Sequence, residues 1–228
     1  MSDAIPGFPA RFPVRDDGRR PLRYRIVSFL SRAVLRAMFG RRLDVRALRA
    51  MPTAGPLLVV SNHLSNVDPF LFGGYAAGTM FCMAKRELYR PRAVAWILAG
   101  CNCFPVDRGA ADRRALRTSL DVLRSGGRLL VFLEGTRAAT PGMKQAEAGA
   151  GFLVRRSGAA VLPVAVWGSE RALGRGRLLP RRVPITVRVG EPFTPEPRGA
   201  GRDDRALADE MGRRVAALLP AEYRGVYS

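Results

Sequence analysis

His63 is the only histidine in this 228-residue chain, and Asp68 follows it by five positions. Imidazole is the side chain that titrates nearest neutrality, so it is the natural general base at physiological pH. The pair lies in Val59-Val60-Ser61-Asn62-His63-Leu64-Ser65-Asn66-Val67-Asp68-Pro69-Phe70, at the end of an apolar run. Five residues along one continuous helix would set the two side chains about 140° apart, on different faces. Here Leu57–Val60 reads as a short strand, while Asp68 followed by Pro69 reads as the start of a helix. The four intervening residues can then turn the carboxylate onto one ring nitrogen. In that arrangement Asp68 orients the imidazole and stabilises its protonated form, the part played by the acid in a Ser-His-Asp triad. A plain helix N-cap is the other reading of Asp68, and a carboxylate has acceptor sites enough for both.

A second group of reactive types, Glu134-Gly135-Thr136-Arg137, follows the strand-like run Arg128–Leu133. Strand ends are where α/β proteins place functional loops. Gly135 permits close backbone approach, Thr136 supplies a hydroxyl, and Arg137 can bind a phosphate with both arms of its guanidinium. Glu134 would repel a phosphate, so its expected task is to position Arg137 or backbone donors. A third strand end, Phe104-Pro105-Val106-Asp107-Arg108-Gly109, offers Arg108. Ser61 and Ser65 flank His63 without the Gly-x-Ser-x-Gly pattern of a nucleophile elbow.

Elements that could hold these groups are legible in the periodicity. From Leu22 to Phe39 the apolar residues Val27, Leu30, Val34 and Met38 recur at helical steps, widened by Tyr24, Leu35 and Phe39, with Arg25, Arg32 and Arg36 on other faces. Such a helix either lies in a membrane interface or covers the edge of a core. Strands are expected at 43–46, 57–60, 79–84, 103–106, 128–133, 160–167 and 184–189. Helices are expected at 69–77, 93–98, 112–123, 146–156 and 203–219, and residues 1–20, rich in Pro, Gly and Arg, as an irregular arm. Strands alternating with helices predict an α/β fold, a mostly parallel central sheet flanked by helices.

The formal charge is +19, from 38 basic and 19 acidic residues. That excess favours polyanions: nucleic acid, anionic lipid headgroups or phosphorylated substrates. The arginines are dispersed, no nucleic-acid-binding motif is present and aromatics are 8%, which argues against a nucleic-acid partner. Lys85 and Lys144 are the only lysines, so a compact ammonium is retained at two places in an arginine-rich chain. Cys82, Cys101 and Cys103 have no zinc spacing and are expected as buried thiols in a reducing compartment. No apolar run reaches the roughly 18–20 residues needed to span a bilayer, and the N-terminus lacks a secretory signal pattern. A cytosolic protein is expected, either soluble or attached to a membrane surface.

Taken together and in order, the motifs resemble a known family. Asn62-His63-(four residues)-Asp68, Lys85-Arg86-Glu87-Leu88, Phe104-Pro105-Val106-Asp107-Arg108, Phe132-Leu133-Glu134-Gly135-Thr136-Arg137 and Val161-Leu162-Pro163-Val164 are similar to the blocks of the glycerolipid acyltransferases, specifically the bacterial 1-acylglycerol-3-phosphate group. The resemblance covers roughly residues 40–190. It implies an acyltransferase domain over 43–228; residues 1–42 before it are read from composition and periodicity as an arm and an amphipathic helix that either binds a membrane or packs on the domain. It further implies that His63, oriented by Asp68, deprotonates a lysophospholipid hydroxyl that attacks the thioester of an acyl-CoA or acyl-carrier protein. No covalent acyl-enzyme, metal or redox cofactor is implied. Lys85, Arg108, Glu134, Gly135, Thr136 and Arg137 fall where the family meets the acceptor's phosphate. The basic amphipathic helix, the high positive charge and the apolar stretch Trp96-Ile97-Leu98 suit a peripheral location on the cytoplasmic face of the cell membrane. Leu133 stands where the family usually has proline, and Asn66-Val67 where Trp-Leu is common; both departures leave other acceptors open, such as a lyso-ornithine lipid, a glycolipid or a specialised metabolite.

Overall fold

The computed structural model describes residues 21–53, 55–107, 112–137, 142–173, 181–195 and 203–228. The arm expected over residues 1–20 lies outside the described residues, as do Arg108 and Gly109. The strands are β1 (Leu43–Asp44), β2 (Leu57–Ser61), β3 (Phe81–Lys85), β4 (Cys103–Val106), β5 (Arg128–Phe132), β6 (Ala160–Trp167) and β7 (Ile185–Val189). The α-helices are α1 (Leu22–Phe39), α2 (Arg46–Arg49), α3 (Asp68–Tyr75), α4 (Arg92–Gly100), α5 (Arg113–Arg124), α6 (Ala148–Ser157), α7 (Ser169–Leu173) and α8 (Asp204–Ala217).

The strands form one seven-stranded sheet in the order β1-β7-β6-β2-β5-β3-β4. Every pairing is parallel except β6 with β7. The expected α/β class and parallel sheet are therefore observed, with one antiparallel strand that periodicity does not reveal. β2 lies at the centre, flanked by β5 and β6, and all five of its residues are buried. A strand covered on both faces is apolar throughout rather than alternating, which is why Leu57-Leu58-Val59-Val60 has no polar break. Each such side chain contributes about 1.5–3 kcal/mol on full burial, so the strand that delivers His63 is firmly held.

Alternation along the strands divides the core in two. Leu58, Val60, Leu129, Val131 and Val161 face the layer made with α5, α6 and α8. Val59, Leu130, Leu162 and Val164 face the other layer, where α1 and α3 contribute Leu35, Phe39, Leu71 and Phe72. Thus α1 packs on α3 and is built into the core by Tyr24, Val27, Leu35 and Phe39. Its opposite face is also apolar and open to solvent: Leu22 is 69% exposed, Phe29 65% and Val34 54%. Exposed Arg25 and Arg36, four and seven residues from Phe29, border these apolar side chains, so this face is apolar with a basic margin. Asp112 caps α5 by accepting the N–H groups of Arg114 and Ala115, each at 3.0 Å, and accepts the Asp107 N–H at 2.9 Å through its other oxygen. One carboxylate thus joins the end of β4 to the start of α5.

Candidate active site

Because the sheet is parallel apart from β7, the chain leaves β2, β3, β4, β5 and β6 at the same edge, the usual place for ligands in an open α/β sheet. His63 follows β2, Lys85 closes β3, Asp107 follows β4, and Glu134 follows β5. Motifs scattered over more than 70 positions therefore share one edge because of strand order, not sequence proximity.

Asn62 locks the end of β2 in place. Its side-chain amide donates to Val166 O at 2.7 Å and accepts from Val166 N–H at 2.8 Å, extending the β2–β6 pairing beyond the strand. His63 comes next, 6% exposed. Its Nδ1 lies 2.9 Å from Asp68 Oδ2, and the same oxygen accepts the backbone N–H groups of Leu64 at 2.8 Å and Ser65 at 2.7 Å. Asp68 is therefore not the N-cap of α3. It is the helix's first residue and makes no cap bond to the N–H groups beyond it; the carboxylate reaches back to the preceding turn. Those two donors fix the acid where it meets the ring, and they leave Nε2 as the imidazole nitrogen available to a ligand.

Glu134 is 3% exposed and turned inward. Its Oε1 accepts the His63 backbone N–H at 3.2 Å and its Oε2 the Lys144 N–H at 3.1 Å. Burial raises its carboxyl above the ordinary value, against the lowering effect of these two backbone bonds. The expected positioning task is thus directed at the backbones of His63 and Lys144, and both carboxylate oxygens are occupied. At Gly135 the chain reverses, with φ +62°, and a Cβ there would come within 3.2 Å of Glu147 Cγ. A left-handed backbone next to a side chain is glycine's place. Beyond it Gly135 is exposed, while Thr136 and Arg137 are half-buried. Lys85 is exposed and pairs with Glu87 at 3.2 Å. The hydrogen-bonded constellation contains His63, Asp68 and Glu134; Lys85 and residues 135–137 occupy the same sheet edge without a bond to it.

The rival nucleophiles are engaged in structure. Ser65 Oγ donates to Leu173 O at 2.7 Å and accepts from Val67 N–H at 3.2 Å, and Ser61 Oγ donates to Asn62 O at 3.1 Å. The three cysteines are unpaired, and burial pushes the Cys101 thiol up to about 12, far from a reactive thiolate. One contact had no signal in the sequence: the Phe132 ring is stacked on His63, centroids 4.0 Å apart and planes 16° from parallel. Only the pairing of Ser61 with Phe132 across β2 and β5 explains it.

The profile of the acyltransferase family matches residues 42–167, more than half the chain. The chain belongs to the acyltransferase family. The resemblance carried by the motif order is thereby borne out, and this acyltransferase is an enzyme by its kinship. It is 28% identical over 191 residues to the 1-acyl-sn-glycerol-3-phosphate acyltransferase of Pseudomonas aeruginosa, covering 81% of the chain and 70% of that protein. It is 26% identical over 169 residues to the Streptococcus pneumoniae protein of the same name, covering 73% and 59%. The match to human 1-acyl-sn-glycerol-3-phosphate acyltransferase alpha is 27% over 200 residues, covering 81% and 66%. The acyltransferase thus spans between 59% and 70% of the length of these relatives. Its fold is shared with the crystal structure of the 1-acyl-sn-glycerophosphate acyltransferase PlsC from Thermotoga maritima, with a TM-score of 0.70 at 24% identity over 84% of this chain and 76% of that one.

Proposed function

We propose that this acyltransferase moves a fatty acyl group from an acyl-CoA or acyl-carrier-protein thioester to the free hydroxyl of 1-acylglycerol-3-phosphate, giving phosphatidic acid. The observation that carries the reading is the buried His63–Asp68 pair, with Nδ1 anchored and Nε2 at the ligand edge of the sheet. Nε2 removes the hydroxyl proton as the oxygen attacks the thioester carbonyl. The tetrahedral adduct collapses with cleavage of the C–S bond, and the leaving thiolate takes the proton back from the imidazolium. Asp68 holds the ring in one orientation throughout and offsets its transient positive charge. The reading uses no covalent acyl-enzyme, metal or redox cofactor. Incubating purified protein with lysophosphatidate and a panel of acyl-CoA and acyl-carrier-protein thioesters tests it, and absence of phosphatidic acid from every pair would overturn it.

Arg137, with Thr136 and Lys85, is assigned to the acceptor's phosphate. Arg108 shares the assignment by motif position. A charge-assisted bidentate bond contributes about 1.5–3 kcal/mol, so Arg137→Ala should raise KM for lysophosphatidate by roughly 10–100-fold. An unchanged KM would favour an acceptor without a phosphate.

The exposed apolar face of α1 continues into Trp96 and Ile97 of α4, 45% and 37% exposed. Between the two helices a groove of Val27, Val34, Phe70 and Ile97 runs to Asn66 and Val67, in the turn that follows His63. Its apolar lining suits an acyl chain arriving from a bilayer. No helix among the described residues is long and apolar enough to cross a membrane. We therefore assign this face to attachment at the surface of the cell membrane, on its cytoplasmic side. Exposed Arg25, Arg36, Arg41 and Arg42 add attraction to anionic lipid. Since the other side of α1 is core, point changes test this better than deletion of the helix. Leu22→Ser with Phe29→Ser removes two exposed side chains whose insertion contributes about 1.5–3 kcal/mol each. Binding to phosphatidylglycerol-containing vesicles should fall at least about tenfold with an unaltered melting temperature. Undiminished binding would sink the assignment.

A further inference from the structure

We infer that Phe132 is a positioning residue for the base, acting on the face of the His63 ring as Asp68 acts on its edge. The inference rests on His63 being the base proposed above. The Phe132 ring lies parallel to the imidazole at 4.0 Å. Phe132 is itself braced from the side by Phe72, whose ring meets it edge-on at 6.1 Å and 79°. Phe72 is 1% exposed and sits on α3, four residues after Asp68. Residues four apart lie on one helical face, so a single helix controls the imidazole twice, by a hydrogen bond at Nδ1 and by an aromatic column beneath the ring.

The stack does two things. It blocks rotation of the imidazole about its Cβ–Cγ bond in the direction the Asp68 bond restrains least, out of the ring plane. It also acts differently on the two charge states. The face of a phenyl ring is electron-rich and attracts a cation within about 6 Å of its centre. When the acceptor's proton arrives at Nε2, the ring above Phe132 becomes a cation, so the attraction strengthens as the reaction proceeds. Interactions stronger in the transition state than in the ground state raise kcat and leave substrate binding alone.

The test uses the full chain. Phe132→Leu keeps an apolar side chain of similar volume and removes the ring. Aromatic stacking contributes about 0.5–1.5 kcal/mol beyond burial, so kcat should fall about three- to tenfold with KM within about twofold. Phe132→Tyr, which restores a ring face, should recover most of the loss. Because His63 is the only histidine, its two imidazole C–H signals in a proton–carbon NMR correlation need no assignment. In the unsubstituted protein the ring current of Phe132 should place both upfield of a free imidazole, and Phe132→Leu should return them. Wild-type signals at free-imidazole positions would overturn the stack itself. A Phe132→Leu variant that keeps wild-type kcat, or that loses only KM, would overturn its role. Activity surviving His63→Ala would instead remove the base assignment, and the NMR result would still report on the stack.

Discussion

His63→Ala should fold normally and lose about 10²–10⁴-fold in kcat, the usual worth of a positioned general base. The fold is expected to survive because the acid is not stranded. Asp68 Oδ2 keeps the Leu64 and Ser65 N–H groups when the imidazole is removed, so the oxygen that faced the ring stays hydrogen-bonded. The Asn62 clamp to Val166 and the Glu134 bond to the His63 backbone N–H do not involve the imidazole and persist. Circular dichroism and the melting temperature should therefore resemble those of the unsubstituted protein. Initial rates with lysophosphatidate and an acyl thioester check the prediction. Turnover within a few-fold of normal would mean the proton leaves by another route.

Glu134→Gln is expected to be the second most damaging change, although it alters a single atom. Both Glu134 oxygens accept backbone N–H groups, from His63 and from Lys144. A glutamine has one oxygen and one NH₂, so either orientation sets a donor against a donor in a buried place. Such a group costs about 1–3 kcal/mol, and displacement of the His63 backbone should lower kcat by roughly 10–100-fold. The pH dependence of stability supplies an independent readout. Burial raises the Glu134 carboxyl above its ordinary value near 4.5, so the folded chain holds this proton more tightly than the unfolded chain does. As pH rises past 4.5 the unfolded chain ionises first, and the folded state loses stability until its own raised value is passed; above that the loss is constant. Glutamine does not titrate. The stability advantage of the unsubstituted protein over Glu134→Gln should accordingly shrink between pH 4 and pH 7, as read by urea unfolding at both. An advantage that grew with pH would contradict the sign of the shift.

Local order was largely legible in the chain. β4 and β6 span the expected residues because Gly, Asn or Asp interrupts an otherwise β-branched or apolar run at both ends. α1 begins after Pro21 and ends at Gly40, the two strongest punctuators of a helix. Which part of the broad apolar surface of α1 meets the core was not legible, since buried Val27 and exposed Val34 lie one above the other on the helix and are the same residue type, as are buried Leu35 and exposed Leu30. Only the partner decides. The same reason hid the antiparallel β7, whose alternation is compatible with either direction. At the site, residue types pointed to His63 and Asp68, because base chemistry needs those groups and the chain has one histidine. Glu134 was recognisable as unsuited to a phosphate, but its two backbone partners are 71 and 10 positions away and depend on tertiary folding. Phe132 carried no chemical label at all.

The inward turn of Glu134 and the left-handed glycine after it draw a border through the second motif. Phe132 and Glu134, which touch the His63 ring and backbone, are buried or half-buried before Gly135, while Gly135 itself is exposed and Thr136 and Arg137 after it make no bond to the His63–Asp68–Glu134 group. Under the proposed assignment, the part of this motif that aims the base and the part offered to the acceptor meet at a single left-handed residue, so a change at Thr136 or Arg137 should alter acceptor KM while the His63–Asp68–Glu134 bonds persist.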